Sequence, residues 1–436
     1  MKRLERYFWL ALALFTLAGV LLVYWRVLGL GWSYYDDPSI LKSVEESPWY
    51  LPGKAAGLPP VMTSPGGVFR PVQFFTFKID LLLWGRNPLP LHALSLLLHA
   101  GSAFLLAWLL FRLTRTRAVA FVSSLLFISR VNPQTVGWIS APDALCLFFL
   151  LASACFLALV WEGRPGFLVG ALVCYALALG SKEPAGVSAI LVTLVFGLSR
   201  RHKVWQKALV VGTFWLFLVG FCVLRWHLHA ALTGEPRWFW QHTSGTLRFY
   251  VLYLLPYVYV FFFLWLRDPL AAARYYLLGP LCSLVSAALL AGGLLKVGLG
   301  WRSVARKTGY LLAAIVLGLV TYLFLFDDGT KAFLPVSLAV SAGFLALALT
   351  GEWRGVGWLA VAWTMGFALL VAPYYFRSHG ASRFLYIPDA GKTALLALAC
   401  CRYGGWWRRL TPLAVAAYVF HQTAIAFPGF VMLFYP

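Results

Sequence analysis

Apolar stretches long enough to cross a bilayer follow one another from Tyr7 to the C-terminus, separated by short polar breaks. A helix needs about 20 apolar residues to span the hydrocarbon core. Runs such as Leu105 to Phe111 and Leu147 to Val160 are apolar on every side, which fits helices and not the alternation of an outer-membrane barrel. The pattern therefore predicts an all-α polytopic membrane protein. Its first seven spans are Tyr7 to Leu28, Leu91 to Phe111, Ala118 to Ile128, Ala144 to Trp161, Phe167 to Gly180, Ala185 to Leu198 and Ala208 to Leu228. One long polar connection, residues 29–90, follows the first span, and no repeat or low-complexity segment is evident.

Composition supports this reading: 61% of the residues are hydrophobic and 12% charged, against about 25% charged in an ordinary soluble domain. The net charge of +21 sits in short loops between spans, where it encodes orientation and calls for no nucleic acid. Lys2, Arg3 and Arg6 place the N-terminus in the cytoplasm, and no small-residue cleavage site follows, so the first span is expected to be retained. The loop 29–90 is then extracytoplasmic, whereas Arg112, Arg115, Arg117, Arg200, Arg201, Lys203 and Lys207 lie inside. Phe249 to Leu266 is interrupted by Pro256. Reading it as re-entrant puts the larger share of the later cations inside and gives about 13 spans with the C-terminus outside. The expected organisation is a single transmembrane domain, 1–436. Within it lie the loop 29–90, core helices in 91–200, and C-terminal helices in 201–436 that would form a groove for a lipid carrier. All seven cysteines lie in or beside apolar segments, so neither a disulfide framework nor a zinc motif is implied.

Several polar residues at span ends have the chemistry of a site. Asp36 and Asp37 are adjacent carboxylates just beyond the first span. Their mutual repulsion raises one pKa and suits a general base; a solvated pair or a helix cap is the plainer alternative. His92 and His99 are seven apart and share one helical face, as metal-free positioning groups or as helix-to-helix hydrogen bonders. No third ligand stands at metal-site spacing, although Asp36 and Asp37 could hold a divalent cation with water. Lys182 precedes Glu183 and Pro184 at an outer hairpin, where the lysine could bind an anionic phosphate or simply neutralise its neighbour. Arg383 enters a late span and suits phosphate as a bidentate donor, or snorkels to the interface. Asp143 begins the fourth span as a cap.

The order of these elements resembles a known family. Tyr35-Asp36-Asp37-Pro38, Arg70-Pro71, Leu83-Trp84-Gly85-Arg86-Asn87-Pro88 with His92 and His99, Trp138-Ile139-Ser140 with Asp143, Ser181-Lys182-Glu183 and Arg383-Phe384-Leu385-Tyr386-Ile387-Pro388 recur in that order. They resemble the membrane part of the O-mannosyltransferases that carry tetratricopeptide repeats, and their bacterial relatives, which are glycosyltransferases of the C-type membrane fold (GT-C). The likeness covers about residues 31–190 and returns at 383–388. Two departures stand out: Asn132-Pro133 replaces the family's His-Pro, with no acid before Trp138, and the tetratricopeptide tail is absent. Acceptor recognition is then expected to be done differently or by a partner.

The resemblance implies a polyprenyl-phosphate sugar donor, an extracytoplasmic active site in a bacterial inner membrane, and catalysis by an aspartate of the first loop. On this reading Asp36 or Asp37 takes the proton of a protein, glycan or lipid acceptor in an inverting transfer. Lys182 and Arg383 bind the donor phosphate, and Arg70, His92, His99, Asp143, Glu183 and Tyr386 position substrate, with no cofactor required. The alternative class is a transporter or flippase of lipid-linked glycans.

Overall fold

The computed structural model describes residues 2–32, 37–46, 63–64, 68–129, 133–137, 142–197, 199, 201–233, 353–377 and 386–402. Helix α1, Lys2–Tyr24, continues as a 3-10 turn, Trp25–Gly29. The later helices are α4 (Leu89–Thr114), α5 (Arg117–Ser129), α6 (Pro133–Gly137), α7 (Asp143–Trp161), α8 (Phe167–Ser181), α9 (Val187–Gly197) and α10 (Val204–Thr233). Near the C-terminus, α11 is Arg354–Arg377 and α12 is Tyr386–Arg402. Among the described residues, α1 with its turn, α4, α7 and α10 are long and apolar enough to cross a membrane. The protein is an all-α multi-pass membrane protein. The segment Phe249 to Leu266, expected to be re-entrant, falls outside the described residues, as do the spans expected around it.

The loop 29–90 carries more order than its polarity suggested. It contains α2 (Asp37–Glu46), a two-residue antiparallel pairing of β1 (Thr63–Ser64) with β2 (Val68–Phe69), and α3 (Pro71–Trp84). Pro71 opens α3 at the position where its missing N–H costs nothing, and Gly85, at φ +64°, closes it by donating to the Leu81 carbonyl. The last turn of α2 is fixed to α3 by Lys78, whose Nζ donates to the Val44 carbonyl at 2.7 Å, and by Arg86, bidentate on Glu45 at 2.6 Å. Between them Val44, Phe74, Phe77 and Leu91 form a small apolar core.

Asp80, on the same helix, is buried, and its Oδ2 has no hydrogen-bond partner among the described residues. Burial pushes its carboxyl up to about 6. Because that lies above the unfolded value of about 4, folding is favoured most at low pH and loses stability as the pH rises through 6. Asp80→Asn is therefore expected to raise the thermal midpoint at pH 7.5 and to flatten its decline between pH 4 and 6. A variant that melts with the parent's pH profile would refute this account.

The main core forms around α4, which packs on α1, α5 and α7, while α7 packs on α8 and α10 lies against α8 and α9. Leu96, Ala103, Leu106, Leu147, Leu150, Ala171 and Tyr175 are buried in it. Helix α12 rests on α5, α7 and α11. Close approach requires glycine at Gly391, where a Cβ would stand 2.6 Å from the Ala360 carbonyl oxygen and 2.5 Å from Thr364 Oγ1. A backbone atom cannot yield as a side chain can, so Gly391→Ala should force α11 and α12 apart at a cost of ~1–3 kcal/mol. Gly355→Ala, whose Cβ meets nothing within 4 Å, is the matched control and should leave the melting temperature unchanged or higher.

The two ends of the bundle are chemically distinct. At one, Arg112 and Arg115 at the end of α4 pair with Glu162 at the end of α7. At the other, the start of α7 meets the end of α8 through Asp143 and Lys182. At Gly101, in the middle of α4, a Cβ would stand 2.7 Å from the ring of Phe148 near the start of α7. Helix α7 thus begins deeper in the bundle than α4 does.

Candidate active site

At that second end two ion pairs from separate segments stand next to each other. Asp143 is the first residue of α7, behind Pro142, and Lys182 leaves the end of α8 in extended conformation at φ −158°, ψ 141°. Lys182 Nζ donates to Asp143 Oδ1 at 2.5 Å, with the two side chains 7% and 2% exposed. Asp143 Oδ2 is buried and has no hydrogen-bond partner among the described residues. The Cys146 thiol, one turn along α7, donates to the Lys182 carbonyl at 3.9 Å.

Extended backbone sends successive side chains to opposite sides. Glu183 therefore turns away from Lys182 and accepts from Arg70 at the start of α3, Nη2 at 3.0 Å and Nε at 3.3 Å. Arg225 of α10 approaches the same carboxylate at 3.6 Å. The two charges of the hairpin do not neutralise each other; each serves a different helix. This brings α3, α7, α8 and α10 together at one place, where Gly180 lets α3 come close: a Cβ there would lie 2.7 Å from Val72 Cγ2.

A third polar contact lies deeper. His99 Nδ1 and the Tyr386 hydroxyl share a hydrogen bond of 2.7 Å whose direction follows the imidazole tautomer. The ring stacks on Phe127 at 5.1 Å and meets Tyr24 edge-on at 5.4 Å. This is the helix-to-helix hydrogen bond that was one alternative for His99, and it joins α4 to the first residue of α12. His92 stands apart: its Nε2 donates to the Gly31 carbonyl at 3.2 Å, which leaves Nδ1 as the bare acceptor, buried and without a partner among the described residues.

Asp37 is the first residue of α2 and is 0% exposed. Asp36 and Arg383 lie outside the described residues. Of the residues singled out in the sequence, the structure joins Asp143 to Lys182, Arg70 to Glu183 and His99 to Tyr386. Arg225 was missed, although a lone arginine late in an apolar span is itself a signal, because charge at membrane depth needs a partner. Among the described residues no group of three His, Cys, Asp or Glu side chains is placed to hold a metal ion.

No protein-family model matches the chain. Over 144 residues it is 31% identical to protein O-mannosyl-transferase TMTC1 of Homo sapiens, a match covering 30% of this chain and 16% of that protein. Over 179 residues it is 25% identical to the undecaprenyl phosphate-alpha-4-amino-4-deoxy-L-arabinose arabinosyl transferase of Enterobacter sp. (strain 638), covering 40% of this chain and 32% of the other. The alignments thus span at most about one-third of these relatives. In three dimensions it resembles the archaeal oligosaccharyltransferase AglB from Archaeoglobus fulgidus, solved with an inhibitory peptide and a dolichol-phosphate. The TM-score is 0.54 at 13% identity, over 97% of this chain and 55% of that one, a likeness of fold. In its fold and in the parts of its sequence that align, this multi-pass membrane protein resembles the C-type membrane glycosyltransferases.

Proposed function

We propose that the protein is an inverting glycosyltransferase that takes a sugar from a polyprenyl-phosphate carrier and gives it to a hydroxyl acceptor on the extracytoplasmic side. The reading rests on one observation above all. Arg70, Asp143, Lys182 and Glu183, drawn from three separate motifs, converge as two adjacent ion pairs at one end of a bundle with an oligosaccharyltransferase's fold. Relatives support the donor class, since one is named for undecaprenyl phosphate and another was solved with dolichol-phosphate.

On this proposal Asp36 or Asp37 accepts the proton of the acceptor hydroxyl as its oxygen attacks the anomeric carbon. The bond from that carbon to the phosphate oxygen breaks on the opposite face, which inverts the configuration. The leaving phosphate takes up negative charge, and Lys182 and Arg383 stabilise it. Asp143 holds the Lys182 ammonium in place through its 2.5 Å contact, and Glu183 holds Arg70. Protein, glycan and lipid acceptors all offer the required hydroxyl, and no bound cofactor has a part in these steps.

The test is consumption of radiolabelled polyprenyl-phosphate sugars by the detergent-purified full chain, offered peptide, glycan and lipid acceptors. One donor should be turned over with release of the polyprenyl phosphate. Failure of every donor, together with movement of a lipid-linked glycan across liposomes by the same protein, would replace this reading with that of a transporter.

A further inference from the structure

The bundle end farthest from the candidate active site holds a second concentration of charge. Arg112 donates through Nε to Glu162 at 3.1 Å and also through Nη2, while Arg115 Nη2 donates to the same carboxylate at 3.1 Å. Arg164 lies in the turn between α7 and α8, two positions beyond Glu162. Among the described residues Arg164 has no side-chain hydrogen bond or ion pair. Two arginines thus share one glutamate, and a third follows it by two positions in the same turn.

Two further observations make this more than a solvated rim. Arg115 is the only non-glycine residue with positive φ among the described residues, at 58°, and its N–H caps α4 by donating to the Phe111 carbonyl. Glycine would fill that capping position without strain. Keeping arginine there is explained by what its side chain does. Aromatic rings stand at the same level, as at a membrane interface: Arg112 lies over Trp108 at 5.3 Å, and Trp161 meets His202 of the α9–α10 turn at 4.7 Å. That turn adds Arg201 and Lys203 to the same rim.

We propose that Arg112, Arg115 and Arg164 form a binding site for the phosphate headgroup of an anionic phospholipid, seated between the α4–α5 and α7–α8 turns. A guanidinium fork matches phosphate, and a basic cluster at helix ends, beside aromatic rings, suits a lipid headgroup at the membrane surface. Helix α7 separates this site from the candidate active site by about 27 Å, so its failure would leave the glycosyltransferase reading untouched.

The experiment titrates the detergent-purified full chain with dioleoyl phosphatidylglycerol, dioleoyl phosphatidylcholine or inorganic phosphate, counting bound molecules by native mass spectrometry. Phosphatidylglycerol is expected to bind at least about tenfold more tightly than phosphatidylcholine. Arg115→Gly, which removes the side chain and relaxes the backbone, and Arg164→Ala, which removes no side-chain hydrogen bond or ion pair among the described residues, should each weaken it about fivefold. Unchanged affinity in both variants, or equal retention of the two lipids, would overturn the proposal. Displacement of the lipid by millimolar inorganic phosphate would overturn it too, because the ligand would then be the free anion.

Discussion

Asp37→Asn should slow sugar transfer by about 10²- to 10⁴-fold without unfolding the protein. Asparagine keeps the size and hydrogen-bonding reach of the side chain but cannot accept a proton at neutral pH. Asp37 opens α2, where a carboxylate also meets the helix dipole favourably, so a thermal melt of the variant beside the assay separates any loss of stability from the loss of rate. The signature is a fall in kcat with little change in KM for the donor, since the proposed base would act on the acceptor in the transition state. Asp36→Asn measured alongside assigns the proton to one of the two. If both variants keep the parent's rate, catalysis does not run through an aspartate of the first loop.

Lys182→Met should be the most damaging single change to stability. It leaves the Asp143 carboxylate, 2% exposed, without its cation, and breaking such a pair costs ~3–5 kcal/mol. The double variant Lys182→Met/Asp143→Leu removes both charges and should recover most of that loss, since apolar replacements of a buried pair are often neutral. Its transfer activity should stay low, because the cation proposed to meet the phosphate is gone. Thermal melts and transfer rates on the three proteins separate the two roles. A single variant as stable as the parent would mean that the contact carries no weight in the fold, and a fully active double variant that it carries none in the chemistry.

The helices were legible where apolar runs had span length. Predicted limits of Ala144 to Trp161 and Phe167 to Gly180 meet α7 and α8 within a residue. Helix α3 was not visible, because 14 residues fall short of a span and Lys78 and Asp80 interrupt its apolar run. The candidate site was legible as a list of residues but not as a set of partners. Lys182 and Glu183, adjacent in sequence, were open to a mutual ion pair, whereas the extended backbone at Lys182 sends one to Asp143 and the other to Arg70, 113 positions away. Periodicity is a local signal and carries no information on which span packs against which. Arg225 shows the same limit, since its charge was visible and its carboxylate was not.

The His99–Tyr386 hydrogen bond joins residues 287 positions apart, and it sets a timetable for biogenesis. A chain inserted from its N-terminus would carry His99 into the bilayer long before Tyr386 is synthesised. Through most of translation that imidazole would lack its phenol partner, a costly state at membrane depth. Nascent chains stalled before residue 386 should therefore remain clients of membrane chaperones or proteases, and the last helices would act as the release signal for the first.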